Sequence, residues 1–312
     1  MPITSRSTLP TRRPRFRAAL LVGAALLSVG LTSCGSDDDN AADSGGGDAA
    51  EVSIKIGHQG FAESEILAHL YGDVLDDNGY KVEYQSFSDR AAIYAALDSG
   101  DIDLVPDYAA SAVEFLNGNA GEATPDVDET VTALTAQLEK KDLAAGKASP
   151  AVDSNSLVVP ADSDMSKISD LTDDLVLGGP QDCPSNASCL PAITDVYGVD
   201  LTAKFVPLDA GGPLTVSALK SGDIDVAVLF STDPAIVVND FKVLEDDKGI
   251  FNADNIIPVG TSALVGDTLA MLDKVSAALT TDNLTELVKK VAIDKEDADE
   301  VAKTFVADNK LK

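Results

Sequence analysis

Hydrophobic and polar residues follow one another along the chain in a pattern that predicts repeated strand–helix units. Residues 52–57 alternate as a strand does, and residues 63–79 place apolar side chains at helical spacing before a glycine. A strand over 81–87, a helix over 88–100 and a short buried strand over 102–105 follow. This β-α-β-α-β order is typical of a parallel sheet covered by helices.

The same order returns after a helical stretch at 127–141. Strands, helices and connecting turns alternate again over 156–160, 175–179, 190–197, 204–212, 213–222 and 224–230. Both parts contain the phrase SGDID, at 99–103 and at 221–225. In each part the phrase ends a predicted helix with a glycine and leads into a predicted parallel strand. The pattern therefore predicts two similar α/β lobes.

Aromatic and polar residues follow each of the two repeated strands. PDYAAS follows the first strand, and STDPAI follows the second. Because open parallel sheets bind ligands outside the carboxyl ends of their strands, two such ends facing each other predict a cleft. Tyr108 approaches it from one lobe, and Phe230, Ser231, Thr232 and Asp233 approach it from the other. Tyr108 as a packing residue and Asp233 as a helix N-cap before a proline are the structural alternatives.

The N-terminal segment is typical of an exported lipoprotein. A basic stretch, TRRPRFR, precedes an apolar run that is shorter than a membrane-spanning helix requires, and LTSCGS follows. Cys34 resembles the lipidated cysteine of a bacterial lipobox; an ordinary signal peptide with an incidental cysteine is the alternative. We expect a signal peptide over 1–33 and a flexible tether over 34–51, with acyl chains holding the protein to the outer face of the membrane.

The charge of the chain narrows the classes of partner. The 312 residues include 23 basic and 52 acidic side chains, which gives a formal net charge of −29. Nucleic acid is disfavoured, because phosphates need clustered lysine and arginine. The negative field weakly favours cationic or zwitterionic partners, although a solvated surface that keeps the protein soluble explains most of the charge more simply.

Two further cysteines, Cys183 and Cys189, lie in the segment GPQDCPSNASCLP. An exported protein experiences an oxidising compartment, so we expect a disulfide that stiffens this loop. A redox or metal-binding pair is the alternative, but the spacing is not Cys-x-x-Cys and neither His58 nor His69 is nearby in sequence. A Gly-x-Ser-x-Gly nucleophile motif is absent from the sequence. We therefore predict no enzymatic activity, no metal site and no cofactor.

Five segments carry a resemblance to a known family, and in chain order they are IGHQGFAESEILAHLYGDVLDDNGY, ALDSGDIDLVPDY, CLPAITDVYG, LDAGGPLTVSALKSGDIDVAVLFSTDPAI and VLEDDKGIF. The chain resembles the substrate-binding lipoproteins of ABC importers for glycine betaine, choline, carnitine and proline. This resemblance implies an α/β fold of the type II periplasmic-binding-protein kind, with two parallel-rich sheets joined by crossover hinges at 152–160 and 255–260. It implies one lobe at 52–154 plus 258–312 and a second at 155–257.

The resemblance also implies a solute site between the lobes. Choline and betaine binders of the family hold a trimethylammonium group among aromatic rings by cation–π attraction. Tyr108 matches the site tyrosine of the family's PEY motif. Phe61, Tyr94 and Phe230 are the other rings expected near the cleft. These four aromatic residues are the predicted cage.

Other positions differ from the family pattern. Glu65 and Val105 stand where many members have an aromatic residue, so the known cages do not transfer intact. Gly211 and Gly212 precede a predicted helix N-terminus that contains Thr215, and their backbone N–H groups are suited to a ligand carboxylate. A plain tight turn at this glycine pair is the alternative.

The leading hypothesis is an extracytoplasmic solute-binding component of an ABC importer. It binds a quaternary-ammonium or zwitterionic osmoprotectant by closure of two lobes and delivers it to a membrane permease driven by an ATPase. The alternatives are the same fold binding another small polar or aromatic solute, and an enzyme or metal carrier. We expect a monomer that binds no nucleic acid.

Overall fold

The fold is described from a computed structural model of the chain. The structure describes residues 52–181, 183–186, 188–209, 212–264 and 266–311. All of these residues belong to one compact unit. The predicted signal peptide, tether and lipidated cysteine lie outside the described residues. Within the described part, no helix combines the length and the apolar character needed to cross a membrane.

The described residues contain strands and helices in the alternating order that the sequence predicts. The strands are β1 (Ser53–Gln59), β2 (Lys81–Phe87), β3 (Leu104–Tyr108), β4 (Leu143–Ala145), β5 (Asn155–Val159), β6 (Leu177–Pro180), β7 (Val206–Leu208), β8 (Val226–Phe230), β9 (Lys242–Val243) and β10 (Ile256–Thr261). The helices are α1 (Ala62–Asp77), α2 (Arg90–Ser99), α3 (Ala109–Asn117), α4 (Val127–Leu138), α5 (Leu190–Ala192), α6 (Pro213–Ser221), α7 (Pro234–Val238), α8 (Asp267–Ala278), α9 (Thr281–Ala292) and α10 (Ala298–Asp308). A π-helical segment, Ile193–Tyr197, continues α5.

The strands form two five-stranded sheets of the same design. The first sheet has the order β2-β1-β3-β10-β4, and the second has the order β7-β6-β8-β5-β9. In the first, β1 is parallel to β2 and β3, whereas β10 is antiparallel to β3 and β4. In the second, β6 is parallel to β7 and β8, whereas β5 is antiparallel to β8 and β9. The predicted α/β class with two sheets is confirmed, and both sheets are mixed.

Two chain segments connect the sheets, one between β4 and β5 and the other between β9 and β10. They lie side by side: Val152 and Asn255 form an antiparallel bridge, and the N–H of Asp153 donates to the carbonyl of Asp254 at 3.0 Å. The paired segments form the connection between the two lobes, where we use lobe for a sheet with the helices packed on it. The predicted boundaries at 154/155 and 257/258 stay predictions.

Helix α1 shows how the first lobe forms its core. Its apolar residues recur every three or four positions, so Ile66, Leu70 and Val74 lie on one face and are fully buried. The C-terminal helices close the same core, to which Leu272 of α8 and Leu284 of α9 belong. The tail of the chain therefore packs with the N-terminal lobe.

The repeated strands begin later than the alternation predicts. The first starts at Leu104 and not at Ile102, because the N–H of Ile102 still bonds the carbonyl of Ala96 and the carboxylate of Asp103 accepts the N–H of Lys55 at 2.8 Å. These residues belong to the turn that connects the helix to the strand. The Asp103 side chain thus stabilises the turn, and the pairing of the strand begins only after it.

Candidate ligand-binding site

Two adjoining cavities lie between the two sheets, at the paired connecting segments. Their volumes are about 630 Å³ and 510 Å³. Residues of both lobes line each of them, and the residues common to both are Arg90, Ser111, Asp153, Phe230 and Asp254. This shared boundary makes the two cavities parts of one cleft.

Glu63 and Asp153 form the acidic centre of the smaller cavity. Glu63 lies in the first turn of α1 and is only 4% exposed, and Tyr108 at the end of β3 donates its hydroxyl to Glu63 Oε1 at 2.7 Å. Asp153 lies in the first connecting segment, and Thr232 of the second lobe donates to Asp153 Oδ1 at 2.8 Å. The centre therefore joins both lobes and the connection between them.

The environment of this acidic centre disfavours charge. Burial raises the pKa of Glu63. Burial and, after it, the nearby charge of Glu63 raise the pKa of Asp153 to about 8. Burial also raises the pKa of Asp254, which accepts hydrogen bonds from the N–H of Ser111 at 2.8 Å and from its hydroxyl at 2.6 Å. Ionisation of each of these three carboxyl groups therefore costs more free energy than ionisation of an exposed carboxyl group.

Arg90 is already engaged by a protein carboxylate. Its Nε and Nη2 donate to Asp107 Oδ1 at 3.1 Å and 2.8 Å, and Tyr94 donates its hydroxyl to Asp107 Oδ2 at 3.0 Å. Asp107 is 2% exposed, so the carboxylate is buried with its donors. This pair forms a hydrogen-bonded wall of the cleft, and it fixes the guanidinium through charge-assisted bonds.

Aromatic rings from both lobes face the smaller cavity. Phe61, just before α1, and Phe230, at the end of β8, are each 43% exposed, although large apolar side chains are usually buried. Tyr108 lines the same cavity but is only 6% exposed. The cleft thus combines ring surface with buried carboxyl groups.

The structure brings together only part of the predicted site. Phe61, Tyr108, Phe230, Thr232 and Asp233 line the smaller cavity. Asp233 also accepts the N–H of the second residue of α7 at 2.8 Å, which is the helix-capping role considered as its alternative. The ligand roles of these five residues stay predictions.

Two predicted residues lie behind the cavity walls. Tyr94 is almost fully buried, with its hydroxyl on Asp107 and its ring 5.2 Å from that of Phe115. Ser231 donates its hydroxyl to the carbonyl of Val152 at 2.7 Å and accepts the N–H of Ser154 at 3.0 Å. Ser231 therefore fastens the second lobe to the connecting segment.

The helix terminus predicted to hold a ligand carboxylate is capped by the chain itself. Asp209 accepts the N–H groups of Leu214 and Thr215 at 3.1 Å and 2.9 Å, and the Thr215 hydroxyl donates to Asp209 Oδ1 at 2.7 Å. Gly212 and Thr215 are not among the residues that line the two cavities, and Gly211 lies outside the described residues. The structure does not bring Gly212 and Thr215 to the cleft.

The sequence pattern did not predict five charged residues of the cleft: Glu63, Arg90, Glu114, Asp153 and Asp254. Asp153 lies inside a segment predicted as a hinge, and Asp254 lies immediately before the other one. Their position at the hinges was the available signal, since a site between two lobes must adjoin the segments that connect them. Glu63, Arg90 and Glu114 had no comparable signal, because charged residues are ordinary on the polar faces of helices.

Cys183 and Cys189 are paired through their sulfur atoms, with their Cα atoms 5.2 Å apart. Both are buried in the core of the second lobe beside Leu190 and Ile193. Ser188 of the same loop lines the larger cavity. The loop therefore reaches from the core of its lobe to the cleft.

The fold and the interlobe cleft define a class of protein. Two five-stranded mixed sheets joined by paired connecting segments are the architecture of the type II periplasmic binding proteins. The chain belongs to the family described as the substrate binding domain of ABC-type glycine betaine transport systems, whose model matches residues 52–308. This family consists of substrate-binding proteins and not of enzymes.

Individual relatives agree with the family assignment. The glycine-betaine-binding protein of Pseudomonas aeruginosa is 23% identical, over 84% of this chain and 90% of its own length. The carnitine transport binding protein OpuCC of Listeria monocytogenes is 24% identical, over 72% of this chain and 73% of its own. A solved glycine betaine/carnitine/choline ABC transporter structure has a TM-score of 0.75 at 21% identity, covering 84% of this chain and 99% of that one.

Proposed function

We propose that this protein is the extracytoplasmic solute-binding component of an ABC importer. It binds a quaternary-ammonium or zwitterionic osmoprotectant of the glycine betaine, choline, carnitine and proline class in the interlobe cleft. It then delivers the solute to a permease that is driven by an ATPase. Family membership supports the class of protein, and the observation that carries the proposal is the pair of exposed rings, Phe61 and Phe230, which face one cavity from two lobes.

The chemistry of binding follows from the groups that face the cavity. A quaternary ammonium cannot donate a hydrogen bond from its nitrogen, so it is held by ring faces and by negative charge. Phe61 and Phe230 offer such faces, and Glu63 and Asp153 offer the charge. Closure of the lobes would exclude water from around these groups and strengthen their attraction for a cation.

The paired connecting segments are the proposed hinge. Only a few residues join the lobes there, which suits a bending motion that absorbs its change in a short stretch of backbone. Asp153 and Asp254 lie directly beside the Val152–Asn255 bridge and also line the cleft. A bound solute would therefore contact the hinge itself, which couples occupancy to closure.

The cellular setting completes the proposal. Export by the signal peptide and acylation of Cys34 would tether the protein to the outer face of the cell membrane through the segment 34–51. A Cys183–Cys189 disulfide would be stable in that oxidising compartment. The protein would work as a monomer, with the permease as its macromolecular partner.

Thermal unfolding with a panel of glycine betaine, choline, carnitine and proline tests this function. A ligand that binds the native state raises its stability by mass action, by about 2.7 kcal/mol at a hundredfold excess over Kd. We expect at least one member of the panel to raise the melting temperature and to compact the protein in solution scattering. A melting temperature that none of the four solutes changes would contradict the proposal.

The second candidate is the same fold with a different small polar or aromatic solute. It is favoured by Glu65 and Val105, which replace expected cage aromatics, and by the carboxyl groups in the cleft. An extended panel of amines and aromatic amino acids separates it from the first candidate. If an amine or an aromatic amino acid stabilises the protein and none of the osmolytes does, the second candidate function is supported.

A further inference from the structure

The charged groups of the cleft are strongly unbalanced. The described residues that line the two cavities include five acids and one base, and the acids are Glu63, Glu114, Asp153, Asp233 and Asp254. The base is Arg90, which Asp107 already engages through two of its nitrogen atoms. Because the guanidinium is paired within the protein, it offers no uncompensated positive charge to a ligand.

Helix N-termini are the usual alternative receptor for an anionic group. Two of the helix N-termini at this cleft are capped by the protein's own carboxylates, and that of α1, which has no side-chain cap, carries Glu63 and Glu65 in its first turn. Asp254 accepts the N–H of Ser111 in the first turn of α3 at 2.8 Å, and Asp233 accepts the N–H of Ala235 in α7 at 2.8 Å. Asp209 caps α6 in the same manner, and that helix start does not line the cleft. The α6 N-terminus predicted to hold a ligand carboxylate therefore already donates to Asp209 through the N–H groups of Leu214 and Thr215.

A zwitterion would bring its carboxylate into this environment. Like charges placed together in a cleft repel, and the penalty reaches several kcal/mol where water is excluded. A cation of the same size meets the opposite situation, because it supplies the positive charge that the buried acids lack. The cavity between Phe61 and Phe230 adds ring surface for its alkyl groups.

Resting on the proposed function, we propose that the cleft selects a small organic cation that carries no carboxylate group. Its ammonium centre lies beside Glu63 and Asp153, and its alkyl groups lie against Phe61 and Phe230. The binding protein would thus take the cationic members of the osmoprotectant class in preference to the zwitterionic ones. Tyr108 and Thr232 would hold the two carboxyl groups in position through the bonds they already donate.

Binding of a cation is linked to proton release from the cleft. Burial raises the pKa of Glu63 and Asp254, and burial with the charge of Glu63 raises that of Asp153 to about 8. A bound cation favours the ionised form of each of these carboxyl groups. At a pH below the pKa of a carboxyl group, binding must therefore release its proton. Affinity is therefore expected to rise with pH through the pKa of Asp153, at about pH 8, and to level only above it.

Other charged and titratable groups also line this cleft or contact its acids. Arg90 forms an ion pair with Asp107, with Nη2 at 2.8 Å from Oδ1. Burial raises the pKa of Tyr108 well above its ordinary value, so its hydroxyl stays neutral. Glu114 lines the larger cavity and Asp233 the smaller one, and burial raises the pKa of Asp233, so its ionisation adds to the same rise of affinity with pH.

Calorimetric titration with choline and with glycine betaine measures how the ligand's own carboxylate changes the binding affinity. Both carry a trimethylammonium group, and they differ at the other end, where one has a hydroxyl and the other a carboxylate. At pH 8 and low salt we expect choline to bind about 100-fold more tightly, equivalent to about 2.7 kcal/mol. Ethanolamine, which has the same charge as choline without the methyl groups, shows whether the rings contribute.

The outcomes separate this inference from the proposed function. Glycine betaine binding as tightly as choline, or more tightly, would overturn cation selection and leave the osmoprotectant function intact. Ethanolamine binding more tightly than choline would support cation selection and remove the quaternary-ammonium part of the function. If choline, ethanolamine, glycine betaine, carnitine and proline all fail to bind, both proposals fall.

The variant Asp153→Asn tests the acidic centre directly. Asparagine keeps the shape and can still accept from Thr232, but it cannot carry the charge. We expect choline affinity to fall at least tenfold and its rise with pH to flatten. Unchanged affinity with an unchanged pH profile would overturn the proposed placement of the ammonium group.

The same variant has a stability signature. The native state retains the Asp153 proton between about pH 4 and pH 8, whereas the unfolded chain loses it, so this group's contribution to stability falls as pH rises through that window. Without ligand, Asp153→Asn should therefore melt at a higher temperature than the parent at pH 8. Asp308→Asn, at the exposed end of α10, removes an equal charge and should change neither property. Glu63→Gln repeats the test if Asp153→Asn does not fold.

Discussion

The two SGDID turns are alike in their backbone and in their hydrogen bonds. Gly100 and Gly222 end their helices with φ of 75° and 76° and with ψ of 20° in both. Asp103 and Asp225 each accept a backbone N–H from the start or flank of the neighbouring parallel strand at 2.8 Å. The same five letters therefore produce the same helix-to-strand connection in both lobes.

The strands that follow these turns end differently. β3 is buried along its whole length and ends in Asp107 and Tyr108, whose polar groups bond to other protein groups. β8 is buried up to its last residue, and there Phe230 is 43% exposed. The end of β3 contributes a hydrogen-bonded wall, and the end of β8 contributes an exposed ring. The repeated turn sets where a strand begins, and the cleft depends on what each strand carries at its other end.

The strongest test of this difference compares Tyr108→Ala with Phe230→Ala. Removing the buried ring of Tyr108 should lower the free energy of unfolding by about 3–5 kcal/mol and deprive Glu63 of its donor. Removing the exposed ring of Phe230 should change stability by less than about 1 kcal/mol yet weaken choline binding about tenfold. Urea unfolding and calorimetric titration measure the two effects. Equal destabilisation by both substitutions would show that the strand ends are not distinct.

Tyr108→Phe is the matched control for the first substitution. It retains the ring and removes the hydroxyl that donates to Glu63. We expect most of the stability lost in Tyr108→Ala to return, with weaker binding of a cation because Glu63 becomes harder to ionise. Binding equal to that of the parent would mean that the ring alone accounts for the role of Tyr108.

An intermediate effect is expected at the cysteine pair, which has no counterpart in the sequence of the first lobe. Cys183→Ser with Cys189→Ser should lower stability by roughly 2–3 kcal/mol, because the closed loop is short. Since Ser188 of this loop lines the larger cavity, binding should also weaken. Denaturation without reductant and a titration check both effects; parental affinity in the double variant would exclude the loop from the site.

The smallest effect tests the similarity of the two turns. Nothing lies within 4 Å of a Cβ added at Gly100 or Gly222, so alanine at either position meets only the cost of a left-handed backbone. That cost is roughly 1–2 kcal/mol, and we expect it to be the same in Gly100→Ala and Gly222→Ala. Parallel chemical denaturation measures both. A large difference between the two losses of stability would show that the two turns do not contribute equally to the stability of their lobes.

Much of the fold was predictable because its signals are local. Periodicity, glycine stops and the repeated phrase predict the β-α-β-α-β order of each lobe, and family resemblance adds the two-lobed arrangement. The start of β3 was placed too early because Asp103 continues the alternation in sequence while its carboxylate belongs to the turn. A residue pattern alone does not reveal which backbone group a side chain will bond.

The site was predictable to a smaller extent. Phe61, Tyr108 and Phe230 were expected at the cleft from strand ends and resemblance, and they line the smaller cavity. Thr215 was placed there because it follows a glycine pair at a helix start, but Asp209 bonds to that helix start first. The spacing of residues in the sequence does not reveal that a carboxylate of the protein will bond to a helix N-terminus in place of a ligand.

The sequence by itself determined the alternation of strands and helices, the two equal turns and the acidic charge, because each depends on neighbours in the chain. Only the tertiary structure decided that Glu63, Asp153 and Asp254 meet in one cleft while Arg90 is paired with Asp107. These acids come from α1 and from two connecting segments that are far apart in sequence and adjacent in space. Their burial and their mutual repulsion arise only on folding, and the preference for a cation follows from that arrangement.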